Sequence, residues 1–322
     1  MKWIVKLLCS TIVAFIVLGI FCLIYYNVPV HYNNPDGSTD YIWDSNYLYA
    51  RMTEGIGYGK TNNEGLMNEF DYKEGMNIDV LVMGSSHIEN QYIPMKDNVV
   101  SLLNDMDSEK TYYNLGVSGH NFRTCVSNLK SALDKYKPDY VVIETDTIMF
   151  DNNDIISVIN GDFEKISSSS NKLLIALQHN PLIRLSVSQI ESFIDNSLNI
   201  KYDIAYQNNN LDKEYTGKLL KYIDSVAKEF NCQVIILYHP TIMTYDRVGF
   251  KYQIPDKTVS SFAELCQQYD IDFLNMSERF ETEYRKDFTL PYGFINSRTA
   301  FGHLNVEGHR MMAEEIYNLI KE

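Results

Sequence analysis

The distribution of apolar positions divides the chain into three stretches. Leu7 to Tyr26 is about twenty residues without a charged side chain, enough to cross a bilayer as a helix. Residues 27 to 77 are polar and rich in turn formers. They carry Asn33-Asn34-Pro35-Asp36-Gly37-Ser38, then Tyr41, Trp43, Tyr47 and Tyr49, then Gly55, Gly57 and Gly59. From residue 78 onward short apolar runs alternate with amphipathic segments. Runs at Val80–Met83, Lys110–Asn114, Tyr140–Ile143, Gln233–Tyr238 and Asp272–Leu274 are too short for buried helices and read as strands covered on both faces, with Val80–Met83 central.

Helices are predicted between these strands at Val99–Leu103, Phe122–Tyr136, Lys213–Phe230 and Val259–Tyr269. In Phe122–Tyr136, for example, Val126, Leu129, Leu133 and Tyr136 share one face. A last helix follows Asn305, whose side chain can accept from unpaired first-turn N–H groups, and carries Val306, Met311, Met312, Ile316 and Leu319. A long loop leads from the fifth strand through Pro291-Tyr292-Gly293 to His303. Between Thr147 and about Leu211 the strand pattern disappears. Apolar Leu173–Leu185, broken at Pro181, and amphipathic Ile190–Ile200 predict a helical insertion over 148–211, placed as a lid or partner surface.

Strands alternating with helices predict a three-layer α/β/α sandwich around a parallel sheet, flavodoxin-like, preceded by one transmembrane helix. The domain plan is an anchor at 1–26, an extracytoplasmic stalk at 27–77 whose aromatics partly pack on the domain, and an α/β domain at 78–322. Lys2 and Lys6 precede the apolar span and acidic residues follow it, which places the amino terminus in the cytoplasm and the rest outside the cell membrane. A cleaved signal peptide would end in small residues, whereas this run ends Cys22-Leu23-Ile24-Tyr25-Tyr26-Asn27.

A net charge of −14 removes nucleic acid from the candidate partners, because phosphate binding needs a basic surface. Of five cysteines, Cys9 and Cys22 lie in the span; Cys125, Cys232 and Cys266 fall in predicted helix, strand and helix and read as small buried hydrophobes. No pair has metal-ligand spacing. No metal or cofactor is expected.

The candidate chemistry starts where the first strand of the domain ends, at Gly84-Ser85-Ser86-His87, with Ser86 at the carboxyl end where open α/β sheets place ligands. Near the other end of the chain, Phe301-Gly302-His303-Leu304-Asn305 puts a histidine just ahead of the last helix. Together with Tyr113-Asn114-Leu115-Gly116-Val117-Ser118-Gly119, these blocks resemble the SGNH (GDSL-like) family of serine hydrolases and acyltransferases. The resemblance implies Ser86 as nucleophile, His303 as base, and backbone N–H groups of Ser86 and Gly119 as the oxyanion hole.

Two departures shape the expectation. The resemblance calls for an aspartate three residues before His303, where Ala300 stands, and for an asparagine in the block Val142-Ile143-Glu144-Thr145-Asp146-Thr147, which has none. Glu144 and Asp146, at a strand's carboxyl end, are the candidate supporting acids. A Gly-x-Ser-x-Gly elbow is absent, since Ile88 stands at its last glycine. His239 is a rival base with a strand-capping alternative; His87, with its side chain directed away from the nucleophile, His120 and His309 read as structural.

Membrane-anchored proteins of this family resemble the bacterial factors that O-acylate exopolysaccharide, capsule or teichoic acid beside a multipass membrane acyltransferase. That implies a serine esterase or O-acyltransferase acting on cell-envelope glycans through an acyl-enzyme, with a Ser86–His303 dyad or a triad whose acid the sequence does not place. The alternative is a catalytically degenerate module that binds glycan or scaffolds a polysaccharide-modifying membrane complex. Ala300 and the absent asparagine favour the alternative; Ser86, Gly119 and His303 favour the enzyme.

Overall fold

The computed structural model describes residues 2–33, 41–150, 158, 177, 179–197 and 211–321. Helix α1 (Lys2–Tyr25) is apolar around its whole circumference and, of its residues, only Cys22 is buried. The chain passes from it directly into β1 (Tyr26–Asn27), and Val28 and Val30 are buried immediately afterwards. Strands β2 (His31–Asn33) and β3 (Tyr41–Trp43) form a small antiparallel pair. Strands β4 (Leu48–Arg51) and β5 (Gly57–Lys60) form a hairpin, and β1 adds to its edge with Tyr26 opposite Arg51 and Asn27 opposite Ala50.

The main sheet is built from β6 (Val80–Gly84), β7 (Tyr112–Gly116), β8 (Tyr140–Thr145), β9 (Gln233–Tyr238) and β12 (Asp272–Asn275), all parallel, in the order β12-β9-β8-β6-β7. The chain leaves β6 for one neighbour and returns past it to the other. The crevice of an open α/β sheet forms outside the carboxyl ends of the strands at this reversal. A four-residue helix α2 (Ser86–Glu89) and helix α3 (Val99–Met106) follow β6, α4 (Phe122–Tyr136) joins β7 to β8, and α5 (Pro181–Ser197) and α6 (Lys213–Phe230) precede β9. Then come a hairpin of β10 (Ile242–Tyr245) and β11 (Phe250–Tyr252), α7 (Asp256–Gln268), α8 (Ser277–Asp287) and α9 (Val306–Lys321).

Alternation along the strands fills two cores. Leu81, Met83, Tyr113, Val141 and Ile143 face α4, α6 and α7; Val80, Val82, Val142, Ile235 and Leu237 face α3 and α9. Polar caps fix where the helices begin. Asn98 accepts from Val100 and Ser101 N–H, Asp212 from Glu214 and Tyr215, and Asn305 from Gly308 at 3.0 Å.

Two expectations change. The stretch read as a stalk is tied into the domain. Asn68 exchanges two hydrogen bonds with the Asn114 backbone on the outermost strand β7, at 2.7 and 3.0 Å, which covers a sheet edge. Glu64 takes hydrogen bonds from Tyr113, Tyr136 and Lys135. The loop expected before His303 contains α8, whose Ser-Glu-Arg-Phe-Glu-Thr-Glu-Tyr-Arg sequence hides its helical period because only Phe280, Glu283 and Tyr284 turn inward. Its exposed side is laced by pairs such as Arg285–Glu281. Of the predicted insertion, α5 is helical, and most of 148–211 lies outside the described residues.

Candidate functional site

Ser86 opens α2, which folds back over the end of β6. A side chain at Gly84 would stand 2.5 Å from a Glu144 carboxylate oxygen and 2.4 Å from Ile88, and one at Gly116 would stand 2.2 Å from the Glu89 nitrogen. Both strand ends therefore need glycine for the turn to pack. Ser85 caps α2, and its own N–H donates to Glu144 Oε2 at 2.7 Å. Glu144 Oε1 lies 2.6 Å from His239 Nε2, and His239 Nδ1 lies 2.8 Å from the Tyr292 hydroxyl. Burial pushes the Glu144 carboxyl up, but hydrogen bonds and charge from His239, with the Ser85 N–H, hold it below its ordinary value. A buried polar chain from β8, β9 and the loop at residue 292 thus fixes the peptide that carries the serine.

His303 Nε2 lies 3.0 Å from Ser86 Oγ. On its other side stands Glu54, from the tip of the β4–β5 hairpin. Its Oε2 accepts from His303 Nδ1 at 2.9 Å and its Oε1 from the His303 backbone N–H at 3.0 Å. Burial raises the Glu54 carboxyl, but the His303 contacts and the Arg51 charge outweigh it and lower the group below its ordinary value. The carboxylate approaches over Gly302, which has φ +87° and whose missing Cβ would stand 2.3 Å from Glu54 Oε1. The Tyr92 ring stacks on the imidazole at 3.7 Å between centroids, and the Arg51 guanidinium lies 4.2 Å from the Tyr92 ring centroid.

Ser86 and His303 come together although 217 residues separate them. Gly119 sits in the turn after β7 with φ +90° and open space where a side chain would be; the pairing of Gly84 with Gly116 brings its turn to the same end of the sheet as Ser86. Neither Glu144 nor Asp146 supports His303. Glu144 is bound to Ser85 and His239, and Asp146 lines a cavity of about 170 Å³ with His87, His239, Thr241, Tyr292 and Gly302. His239 is buried in its bonds to Glu144 and Tyr292. His87 is turned toward the site: its ring lies 5.2 Å from that of His303, and its Nδ1 accepts from the Leu304 N–H at 3.3 Å. Burial first, then the neighbouring histidines, push its imidazole well below the ordinary value, so it is neutral. His309 is buried in the last helix, where Nδ1 accepts from the first N–H of α3 at 3.0 Å.

Sequence reading missed Glu54. The available signal was Gly55-Ile56-Gly57-Tyr58-Gly59 beside it. Side chains at Gly55 and Gly57 would stand 2.2 and 1.9 Å from the carbonyl oxygens of Tyr92 and Gln91. Such glycine density marks backbone packed on backbone, not a free spacer.

This arrangement is competent for one chemistry. A serine hydroxyl faces an imidazole nitrogen whose partner nitrogen donates to a carboxylate, which fixes the tautomer needed to accept the serine proton. A second cavity of about 280 Å³, lined by Asn121, Phe122, Arg123, Thr147, Met149 and Phe150, shares Asp146 and Thr241 with the first. Among the described residues no group of three or more His, Cys, Asp or Glu is placed to hold a metal ion.

No family model matches the chain and no curated protein does. Among solved structures it is similar to a lipolytic protein of the G-D-S-L family from Veillonella parvula (12% identity, TM-score 0.43, covering 76% of this chain and 99% of that one). It is also similar to a psychrotrophic esterase from Pseudoalteromonas sp. (13%, 0.40, 76% and 97%). An acetyl-xylooligosaccharide esterase from Geobacillus gives 14%, 0.43, 78% and 97%.

Proposed function

We propose that this chain is a membrane-anchored, extracytoplasmic serine esterase or O-acyltransferase acting on cell-envelope glycans, with Ser86 as nucleophile, His303 as base and Glu54 as the orienting acid. The observation that carries the reading is the unbroken chain Ser86 Oγ, His303 Nε2, His303 Nδ1, Glu54 Oε2, with contacts of 3.0 and 2.9 Å. Glu54 supplies the acid missing at Ala300, one of the two features that favour a degenerate binding module; the other, the absent asparagine, stands.

In the mechanism, His303 takes the Ser86 proton as Oγ attacks an ester carbonyl, and Glu54 stabilises the imidazolium that results. The Ser86 N–H, in a first helical turn and so without an intrahelical acceptor, and the Gly119 N–H receive the oxyanion. Collapse of the tetrahedral intermediate passes the proton from His303 to the leaving alkoxide and leaves the acyl group on Ser86. His303 then activates the acceptor. Water yields the free acid, and a sugar hydroxyl yields an O-acylated glycan. The loss of one oxyanion donor costs on the order of 3 kcal/mol, so without the asparagine the acyl-transfer steps are expected to be slow in the isolated chain. A multipass membrane acyltransferase that delivers the acyl group is the partner this reading implies.

The burial of Tyr26, Val28 and Val30 favours a retained anchor over a cleaved signal peptide, because cleavage at the end of α1 would leave β1 as a frayed terminus. The full chain, in detergent or nanodiscs, is treated with a fluorophosphonate probe. Labelling of the wild type that disappears in Ser86→Ala and His303→Ala is the expected result. A folded wild type that stays unlabelled overturns the catalytic reading.

A further inference from the structure

The β4–β5 hairpin points back along the chain toward α1. Strand β1 leaves the end of α1 and β4 runs antiparallel to it, so the pairing proceeds from Asn27–Ala50 to Tyr26–Arg51 and then to Met52, whose N–H donates to the carbonyl of Tyr25, the last residue of α1, at 2.9 Å. Residues 52–56, the hairpin tip, therefore lie level with the end of α1 or beyond it, and they include Glu54. Asn296 binds the tip through its side chain to the Met52 carbonyl and to both backbone groups of Gly55, at 2.8 to 3.0 Å. These bonds join the segments that carry Ile295, 99% exposed, and the exposed Ile56.

A second apolar surface lies at the same level. Helix α5 packs on α1, and its Arg184 donates to the Val28 carbonyl at 2.7 Å. Ile183, Val187 and Ile190, at spacings of four and three, are exposed as one stripe. The Arg184 bond to Val28, three residues past the end of α1, sets α5 against the carboxyl end of that helix, the level at which an amphipathic helix seats its apolar side in the headgroup layer.

We propose that Ile56, Ile295 and the α5 stripe are seated in the lipid headgroup layer at the carboxyl end of α1, and that Ser86 therefore addresses an ester held in that layer, a lipid-anchored substrate and not a freely diffusing one. The proposal rests on α1 being a retained membrane span. From Tyr26 at the membrane end to His303 there are three contacts: 5.9 Å from Arg51 to the Tyr26 ring, 4.2 Å from Arg51 to the Tyr92 ring, and 3.7 Å between the Tyr92 and His303 rings. The catalytic imidazole has no room to stand far above the bilayer.

The test uses the full chain in nanodiscs containing nitroxide lipids, with an environment-sensitive fluorophore on Ile295→Cys or Ile190→Cys in a Cys9→Ser background. The other native thiols, Cys22, Cys125, Cys232 and Cys266, are buried. Native Cys9, exposed on α1, is labelled separately to report whether α1 is inserted. Quenching of the 295 and 190 labels by lipid nitroxide at about 5–10 Å depth, with protection from aqueous iodide, is expected. So is labelling of Ser86 by a long-chain alkyl fluorophosphonate dissolved in the same bilayer. Labels open to iodide while Cys9 is lipid-quenched overturn the seat, and labels shielded from both quenchers overturn the bilayer as its occupant. Capture of a soluble fluorophosphonate without capture of the lipid one overturns the substrate class. A Cys9 label open to iodide removes the anchor, and the proposal with it, while leaving the triad untouched.

Discussion

Both oxygens of the Glu54 carboxylate are committed to His303, one to the ring and one to the backbone, so this side chain fixes the position of the imidazole as well as its tautomer. Glu54→Gln keeps the shape but can present its amide N–H₂ to Nδ1 and so favours the wrong tautomer; in a comparable triad that change lowers turnover about 10⁴-fold. A loss of fluorophosphonate labelling rate of at least about 10²-fold, with thermal stability nearly unchanged, is expected. Ala300→Asp, which restores the motif's aspartate, is expected to give no gain. Ala300 is buried with φ +65°, and a new carboxylate there would be desolvated beside a His303 whose Nδ1 is already taken. Gly302→Ala should reduce labelling as Glu54→Gln does, because the methyl group would occupy the path of Glu54 and the backbone is left-handed there. At this scale Ser86 and His303 were legible because each adjoins a helix start with a recognisable motif. Glu54, 249 residues from its partner, belongs to no contiguous pattern, and only the three-dimensional fold pairs them.

The elements that carry the site differ in how they are held. Ser86 and Gly119 follow β6 and β7, strands of the main sheet that are buried almost throughout, and the short runs that form them are the most readable part of the sequence. Glu54 leaves a two-stranded hairpin that β1 completes, and a hairpin alone is marginally stable in water. Removal of residues 1–30 deletes β1, the hydrogen bond from Met52 to Tyr25 and the buried Val28 and Val30. Such a truncation should retain the main sheet by circular dichroism yet lose most fluorophosphonate labelling, whereas replacement of residues 2–21 by another apolar helix, with Cys22–Val30 kept, should preserve it. Equal labelling by both variants would mean that the hairpin holds Glu54 without β1. The polar, glycine-rich composition of 27–77 resembles a spacer because its order comes from backbone packing and side-chain-to-backbone bonds such as those of Asn68 and Asn62, which leave no hydrophobic period to read.

Across the whole molecule, buried ionisable groups couple folding to pH in opposite directions on the acid side of neutrality. Glu89, in α2, is buried and takes a hydrogen bond from Ser118 beside Gly119. Burial raises its carboxyl to about 7 against the opposing pull of Ser118, Arg51 and Gln91. Because the folded state holds this proton more tightly than the unfolded chain does, the contribution is complete below the unfolded value of 4.5 and is lost as pH rises through about 7. The difference corresponds to about 3 kcal/mol. His309 and His120 act in the opposite sense. Burial lowers them to about 3 and about 4, so stability falls as pH drops below the unfolded value of 6.5. Since the two trends overlap, the informative quantity is the difference between Glu89→Gln and wild type in denaturant unfolding at a series of pH values. The variant, permanently neutral, should gain on the wild type between pH 4.5 and 7 and hold a constant lead above that. A lead independent of pH would mean that Glu89 titrates normally, and that the carboxyl beside the Ser118–Gly119 turn is solvated in the folded protein.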